Sequence, residues 1–383
     1  MMEKISPLPF ILTCCLTIPR ILVQAFIVLA IPVLSKELNL SPFQSQILFP
    51  VFTLGIMIFL IPAGRIGDRF GSRQILIIST YFYLFFSMMA GLASNPILFL
   101  ISLFCIGATS AFSMTQASAY VTEIYPFMVR GRVIGLFGGL VSLSFFLGPT
   151  IGGVVAGLGQ AGIFFSMLPL VVLALLFTKF MPRIKREEKM AERYEYFQFI
   201  SIPFISHCVM ALFWQAIISL LIFFPAEYQI HYGYTPVQSG LIFSVLALPF
   251  PIFSPIAGWL FDRVGSTIPY SIGYLSLAVG GLLSFYGYND ESILLLCFSL
   301  AFVLPITASS SWGLFEQRHR SMATGIYYLL RFSGSIMGSL LAGYFLIMEK
   351  GSQDIFFLNF VVALVFAFLS IPAFILSLKG KKV

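Results

Sequence analysis

Gly64-Arg65-Ile66-Gly67-Asp68-Arg69-Phe70-Gly71 interrupts a long apolar stretch, and Gly258-Trp259-Leu260-Phe261-Asp262-Arg263-Val264-Gly265 repeats its pattern 194 residues later. Both read G-x-x-x-D-R-x-G, and each follows an apolar run of helix length. A second pair agrees. Arg130-Gly131-Arg132-Val133-Ile134-Gly135 precedes one apolar run, and Arg320-Ser321-Met322-Ala323-Thr324-Gly325 precedes another, displaced by 190 residues. A general preference for Gly, Asp and Arg in short turns accounts for one such turn. It accounts poorly for two matched pairs at corresponding places, so the chain reads as two related halves.

The composition says where those halves sit. Of 383 residues, 59% are hydrophobic and only 10% are charged, with a mean hydropathy of +0.97. A soluble domain carries roughly 25% charged residues. The surplus apolar surface therefore faces lipid, and crossing the hydrocarbon core takes about 20 apolar residues per helix. Runs of that kind cover Leu8–Leu34, Gln44–Ala63, Ile75–Ala93, Pro96–Tyr120, Val133–Leu158 and Ala161–Met181. A second set covers Phe199–Pro225, Ser239–Trp259, Ile268–Tyr286, Ser292–Trp312, Met322–Met348 and Ile355–Leu378. They are too long, and alternate too little, for membrane strands. The expected fold is an all-α membrane protein of twelve transmembrane helices in two six-helix repeats. Residues 1–181 form an N-terminal six-helix bundle, 182–198 a polar linker, and 199–383 a C-terminal six-helix bundle. The linker is too short to hide another pair of spans. The first apolar run is too long for a cleavable signal.

The formal net charge of +7 points to topology and not to nucleic acid, because the basic residues sit in a few short loops. With the N-terminus in the cytoplasm, Lys4, Arg65, Arg69, Arg73, Arg130, Arg132, Lys179, Arg183, Lys185, Arg186, Lys189, Arg193, Arg263, Arg318, Arg320, Lys379, Lys381 and Lys382 all fall on the cytoplasmic side. Only Lys36 and Lys350 fall opposite, and Arg20 and Arg331 lie inside spans. Both termini are therefore expected in the cytoplasm, with the cell membrane as the expected location. Cys14, Cys15, Cys105, Cys208 and Cys297 all sit in apolar runs, as small buried hydrophobes do. No disulfide framework, metal-ligand spacing or cofactor motif is legible.

The loop Gly64, Asp68, Arg69, Gly71 and Arg73, with its echo at Gly258, Asp262, Arg263 and Gly265, resembles the signature loop of the major facilitator superfamily. The resemblance extends over essentially the whole chain. It implies a transporter built from two parallel six-span repeats that rock about a midplane site. It further implies that these residues gate, with Asp68 approaching the N-terminal end of span eleven near Ser321–Gly325, where the helix dipole favours a carboxylate. A simple turn cap is the other reading of Asp68. Span five ends in Gly148-Pro149-Thr150-Ile151-Gly152-Gly153, preceded by Ser144, which resembles the glycine-proline motif of the drug:proton antiporter branches. Small residues let helix backbones approach closely, and Pro149 removes a helix hydrogen bond.

The chain departs from those branches in two ways. No Asp or Glu lies near the centre of a span by this count; Glu123 ends span four, and Glu227 lies at the outer end of span seven. The span-four position four residues before Gly107 is Leu103, where an Arg is usual in the resembling branches, and Val23 and Gln24 stand where span one carries an acid there. Instead, Arg20 and Arg331 are deep in spans one and eleven. An intramembrane cation needs a partner or a wet cavity, so each either binds an anionic substrate group or is bonded to neighbouring helices. Carbonyls freed near Pro19 are candidate partners for Arg20.

By the same resemblance spans one and four line the cavity. Thr109, Ser113, Gln116 and Tyr120 share one face of span four, and His207 and Trp214 share one face of span seven. Each also has a bland reading, as packing or as a bond back to its own helix. His207, Glu123 and Glu227 are the candidates for proton coupling. With no nucleotide-binding loop, nucleophile motif or metal cluster, an enzyme is not expected. The expected function is secondary active efflux of amphiphilic, drug-like compounds driven by an ion gradient. The alternatives are a permease for a small organic anion using Arg20 and Arg331, or a sensor or assembly factor on the same fold. The partners expected are the bilayer, a small molecule and a coupling ion such as the proton, with a monomer sufficing and no nucleic acid.

Overall fold

The computed structural model describes residues 7–125, 127–182, 201–315, 320–347 and 352–379. The expected linker from residue 183 onward lies outside them. Among the described residues, each of the twelve apolar runs read from the sequence is mostly helical and no strand occurs. Among the described residues, ten stretches are long and apolar enough to cross a membrane.

The helices, in order, are α1 (Leu8–Leu29), α2 (Ile31–Glu37), α3 (Pro42–Phe70), α4 (Ser72–Leu92), α5 (Pro96–Ile124), α6 (Phe127–Ala156), α7 (Gly159–Phe165) and α8 (Leu168–Leu176), with one 3-10 turn at Thr178–Phe180. The second half has α9 (Ile202–Ile222), α10 (Phe224–Tyr232), α11 (Pro236–Ala247), α12 (Pro249–Val264), α13 (Thr267–Phe285), α14 (Asn289–Gly313), α15 (Arg320–Ile347) and α16 (Ser352–Lys379).

More helices than runs arise because four runs break in two, and proline decides where. Pro32, Pro169, Pro225 and Pro249 each occupy the first or second position of the second piece. A proline there loses nothing, since the first N–H groups of a helix have no intrahelical acceptor anyway. One boundary read from the sequence is corrected here. Span seven does not stop at Pro225; α10 carries it on to Tyr232, and the span runs Ile202–Tyr232.

The chain forms two compact units. One takes in the described residues of Met1–Leu40 and Val51–Arg193, the other those of Ser41–Pro50 and Tyr194–Val383. In the first, α1 packs on α6 and α4 on α5; in the second, α9 packs on α15 and α13 on α14. These are corresponding pairs, spans one and five, three and four, seven and eleven, nine and ten.

The matching reaches individual glycines. On α6, a Cβ added at Gly148 would meet Ala25 Cβ at 2.8 Å, and one at Gly152 would meet Phe26 Cδ1 at 2.9 Å, both on α1. On α15, a Cβ at Gly334 would collide with the Leu212 carbonyl oxygen, and one at Gly338 with that of Ala216, both on α9. Gly334 and Gly338 are Gly148 and Gly152 displaced by 186 residues. Each unit thus carries the same small-xxx-small seam, in which backbones touch where side chains would otherwise intervene. Gly55 and Gly107 make a further close contact, against the carbonyls of Phe104 and Phe52.

The seam in the second unit is the tighter, because the obstructing atoms are backbone carbonyls that cannot rotate aside. Gly334→Ala and Gly338→Ala are each expected to lower the thermal midpoint of the detergent-purified protein, at a cost of about 1–3 kcal/mol. Gly258→Ala, with nothing within 4 Å of the added methyl, should leave it unchanged or slightly raised. Fluorescence-detected size exclusion after a temperature ramp reads both.

Candidate functional site

In the first unit the polar groups gather around Arg20. Its side chain is only 2% exposed. Nη1 donates to the Leu16 carbonyl at 2.8 Å, and Nη2 donates to Thr80 Oγ1 on α4, also at 2.8 Å. Thr80 Oγ1 in turn donates to Leu76 O at 2.7 Å. The guanidinium carbon lies 4.9 Å from the centre of the Tyr83 ring, within range of a cation–π contact. Arg20 is thus held inside this unit by a carbonyl, a hydroxyl and an aromatic face. Pro19 frees the Cys15 carbonyl, one residue before the acceptor used. Gln24, one turn on, is half-buried.

The polar face of α5 is also buried in the unit. Thr109 Oγ1 donates to its own helix at Ile106 O, 2.8 Å away, and Ser113 Oγ donates to Thr17 Oγ1 on α1 at 3.3 Å. Gln116 Nε2 donates to Ala63 O on α3 at 2.8 Å. Its amide oxygen lies where a Cβ on Gly67 would be, so the small residue within the signature loop makes room for it. Tyr120 OH donates to Pro182 O at 3.2 Å.

The signature loop shows why its glycine is needed. Gly71 takes φ +93° between α3 and α4, and Gly265 takes φ +78° between α12 and α13. That region costs glycine little and other residues more. Gly64 and Gly258 have open space around them. Arg73 caps the end of span six, its Nε donating to Met181 O at 3.0 Å and its Nη2 to Thr178 O at 2.8 Å. Ser72 donates to Glu123. Arg69 and Arg263 stack over neighbouring Phe70 and Trp259, at 5.3 and 4.2 Å. Asp262 is exposed. The side chains of Asp68 and of Ser321 lie outside the described set, and with them the contact expected between this loop and span eleven.

In the second unit, Arg331 on α15 is half-buried. Its Nε donates to Gln215 Oε1 on α9 at 2.6 Å, and its guanidinium sits 5.7 Å from the Tyr328 ring centre. The next residue back, Trp214, is fully buried and faces the other way, edge-on to Tyr274 of α13 at 5.2 Å between centroids. Trp214 Nε1 donates to Tyr274 OH at 3.4 Å, and Tyr274 bonds Ser370. His207 is buried two turns earlier on α9.

Glu227 is buried at the beginning of α10, where Asn359 of α16 donates to it. Because the helical stretch of span seven continues to Tyr232, this carboxyl lies within that stretch, toward its outer end. Sequence reasoning named one partner of each cluster and missed the other: Thr80 and Tyr83 for Arg20, Gln215 for Arg331, Asn359 for Glu227. A lone polar residue in an apolar run was the available signal, and Asn359 is the clearest case.

A family model described as Major Facilitator Superfamily matches residues 13–314 and 203–382. Multidrug resistance protein Stp of Mycobacterium tuberculosis is 24% identical over 395 residues, covering 84% of this chain and 73% of that protein. Multidrug resistance protein 2 of Bacillus subtilis is 27% identical over 169 residues, and the matched stretch spans 44% of this chain and 42% of that protein. The crystal structure of a bacterial homolog to the human lysosomal transporter Spinster, inward-facing and occupied, aligns with a TM-score of 0.78 at 16% identity, covering 98% of this chain and 97% of that one. At that identity the likeness concerns the fold. The family match over most of the chain agrees with the repeated signature loop and the paired helical units, and the protein belongs to the major facilitator superfamily, as a multi-pass membrane transporter and not an enzyme.

Proposed function

We propose that this transporter exports small amphiphilic, drug-like compounds and is driven by an ion gradient. The observation that carries the reading is the glycine seam of α6. Gly148 and Gly152 bring span five against span one at the motif that resembles the drug:proton antiporter branches. Two relatives named for multidrug resistance support it. The sequence has no nucleotide-binding loop to draw on ATP, so uphill movement uses a gradient. The protein works as a monomer in the cell membrane, with both termini in the cytoplasm. A second reading, a permease for a small organic anion, is favoured by Arg331, whose half-buried guanidinium has donors beyond the one given to Gln215.

Tryptophan quenching with a panel of ethidium, neutral amphiphiles and organic anions separates the two. Efflux predicts binding of ethidium that Arg331→Gln leaves within about twofold. Anion binding weakened about tenfold or more by Arg331→Gln, roughly 1.4 kcal/mol, would transfer the assignment to the second reading. Arg20→Gln is expected to lower the thermal midpoint and to spare binding, since it removes bonds to Leu16 and Thr80 inside one unit. Charged hydrogen bonds of this kind contribute about 1.5–3 kcal/mol each.

Orientation is checked separately. In a background with the native cysteines replaced, Lys350→Cys in intact cells should react with a membrane-impermeant maleimide, and Lys381→Cys should react only after permeabilisation. The opposite pattern would reverse the topology.

A further inference from the structure

Glu227 sits where a carboxylate is hard to keep. It is 0% exposed, and Asn359 beside it is 1% exposed. Asn359 Nδ2 donates to Glu227 Oε1. Glu227 Oε2 and Asn359 Oδ1 have no hydrogen-bond partner among the described residues. An ionised carboxyl is acceptor-only, so the pair then holds more acceptors than donors. A buried charge with so little compensation is strongly disfavoured. A proton on Glu227 removes the charge and supplies the missing donor.

The helix is interrupted at this point. Span seven breaks at Phe223, and Pro225 has no N–H to bridge the break. The Phe223 carbonyl accepts from both Ala226 N at 3.0 Å and Glu227 N at 3.2 Å. Glu227 therefore lies in the first turn of α10, where the positive end of the helix favours an anion. Burial opposes ionisation and the helix end favours it, so the balance follows how deeply the break tucks the carboxyl in. Transporters commonly place substrate and coupling-ion sites at such discontinuous membrane helices.

The surrounding titratable groups are few. Tyr228 donates to Asp290 of α14, an exposed second carboxyl that opposes a further negative charge nearby. His231 stands one turn further along α10, half-buried, with its Nε2 without a hydrogen-bond partner. Of the helices packed on α10, α11 has no ionisable residue, and α9 has only His207 and Cys208, twenty and nineteen residues before Glu227. The side chains of Asp354 and Lys379 on α16 lie outside the described set.

We infer that Glu227, with Asn359 and the break at Phe223–Pro225, is a proton-binding site, which holds its proton in the buried arrangement and releases it to water when α10 swings about the break. The inference rests on the ion-driven efflux reading and deepens it by naming the coupling ion and its residue.

Two measurements keep the site and that reading apart. Infrared difference spectroscopy of the wild-type protein in lipid nanodiscs, titrated with pH, should show a protonated-carboxyl carbonyl band that vanishes on raising the pH and is missing in Glu227→Gln. Asn359→Leu keeps the carboxyl and should move the pH at which the band vanishes. In proteoliposomes with a pH gradient of about one unit, one-for-one exchange sustains about tenfold ethidium accumulation. Glu227→Gln should lose that accumulation and keep ethidium exchange down its own gradient, which also shows that the variant is folded. No Glu227 band, or full proton-driven accumulation by Glu227→Gln, overturns the proposal. Sodium-dependent accumulation that ignores the pH gradient overturns it too. If the wild-type protein moves no ethidium while the band titrates, efflux of lipophilic cations fails and the proton site stands.

Discussion

Hydrocarbon offers no hydrogen bonds, and nearly every local choice in this protein answers to that. Backbone groups in lipid are satisfied within their own segment, which leaves helices as the form these apolar runs take. Prolines are tolerated where a new helix begins, at Pro32, Pro169, Pro225 and Pro249, because the missing N–H is one that no carbonyl awaits. Hydroxyls follow the same rule. Thr13, Ser102, Ser144 and Ser276 each donate to a carbonyl one turn back on their own helix. Since lipid is as apolar as the side chains, burial adds little to helix association, and close contact between small residues takes over.

The charged residues in the spans are the exceptions, and each has its own compensation. Arg20 receives a carbonyl, a hydroxyl and a ring, all from α1 and α4. Arg331 receives Gln215 and the face of Tyr328. Glu227 receives one amide and the beginning of a helix. The first has the most partners, the second is the most open, and the third is fully buried on a single hydrogen bond.

Much of the fold was legible because apolar run length and repeated motifs are one-dimensional signals. The loop at Gly64–Gly71 and its echo at Gly258–Gly265 identified the repeat, and both final glycines have the positive φ that such a turn uses. The seam at Gly148 and Gly152 was legible because Pro149 marks it. Its twin at Gly334 and Gly338 went unnoticed, since nothing in the string singles out two glycines among 31. Partners across helices were not legible at all. Gln215 lies 116 positions from Arg331 and Asn359 lies 132 from Glu227, and helical periodicity says which face a residue occupies but not what meets it. The end of span seven was misread for a simple reason: a proline that starts a helix and a proline that stops one look the same in a sequence.

The seam on α15 also has a mechanical meaning. Side chains at an interface hop between rotamers and absorb strain, whereas two backbones in contact have a single way to fit. Where Gly334 and Gly338 lie against the Leu212 and Ala216 carbonyls, the two helices share one stiff girder. At 1.5 Å per residue, the 28 residues of α15 make it about 40 Å long. On the α9 side the braced length ends at Phe223, where α10 begins, one turn before Glu227.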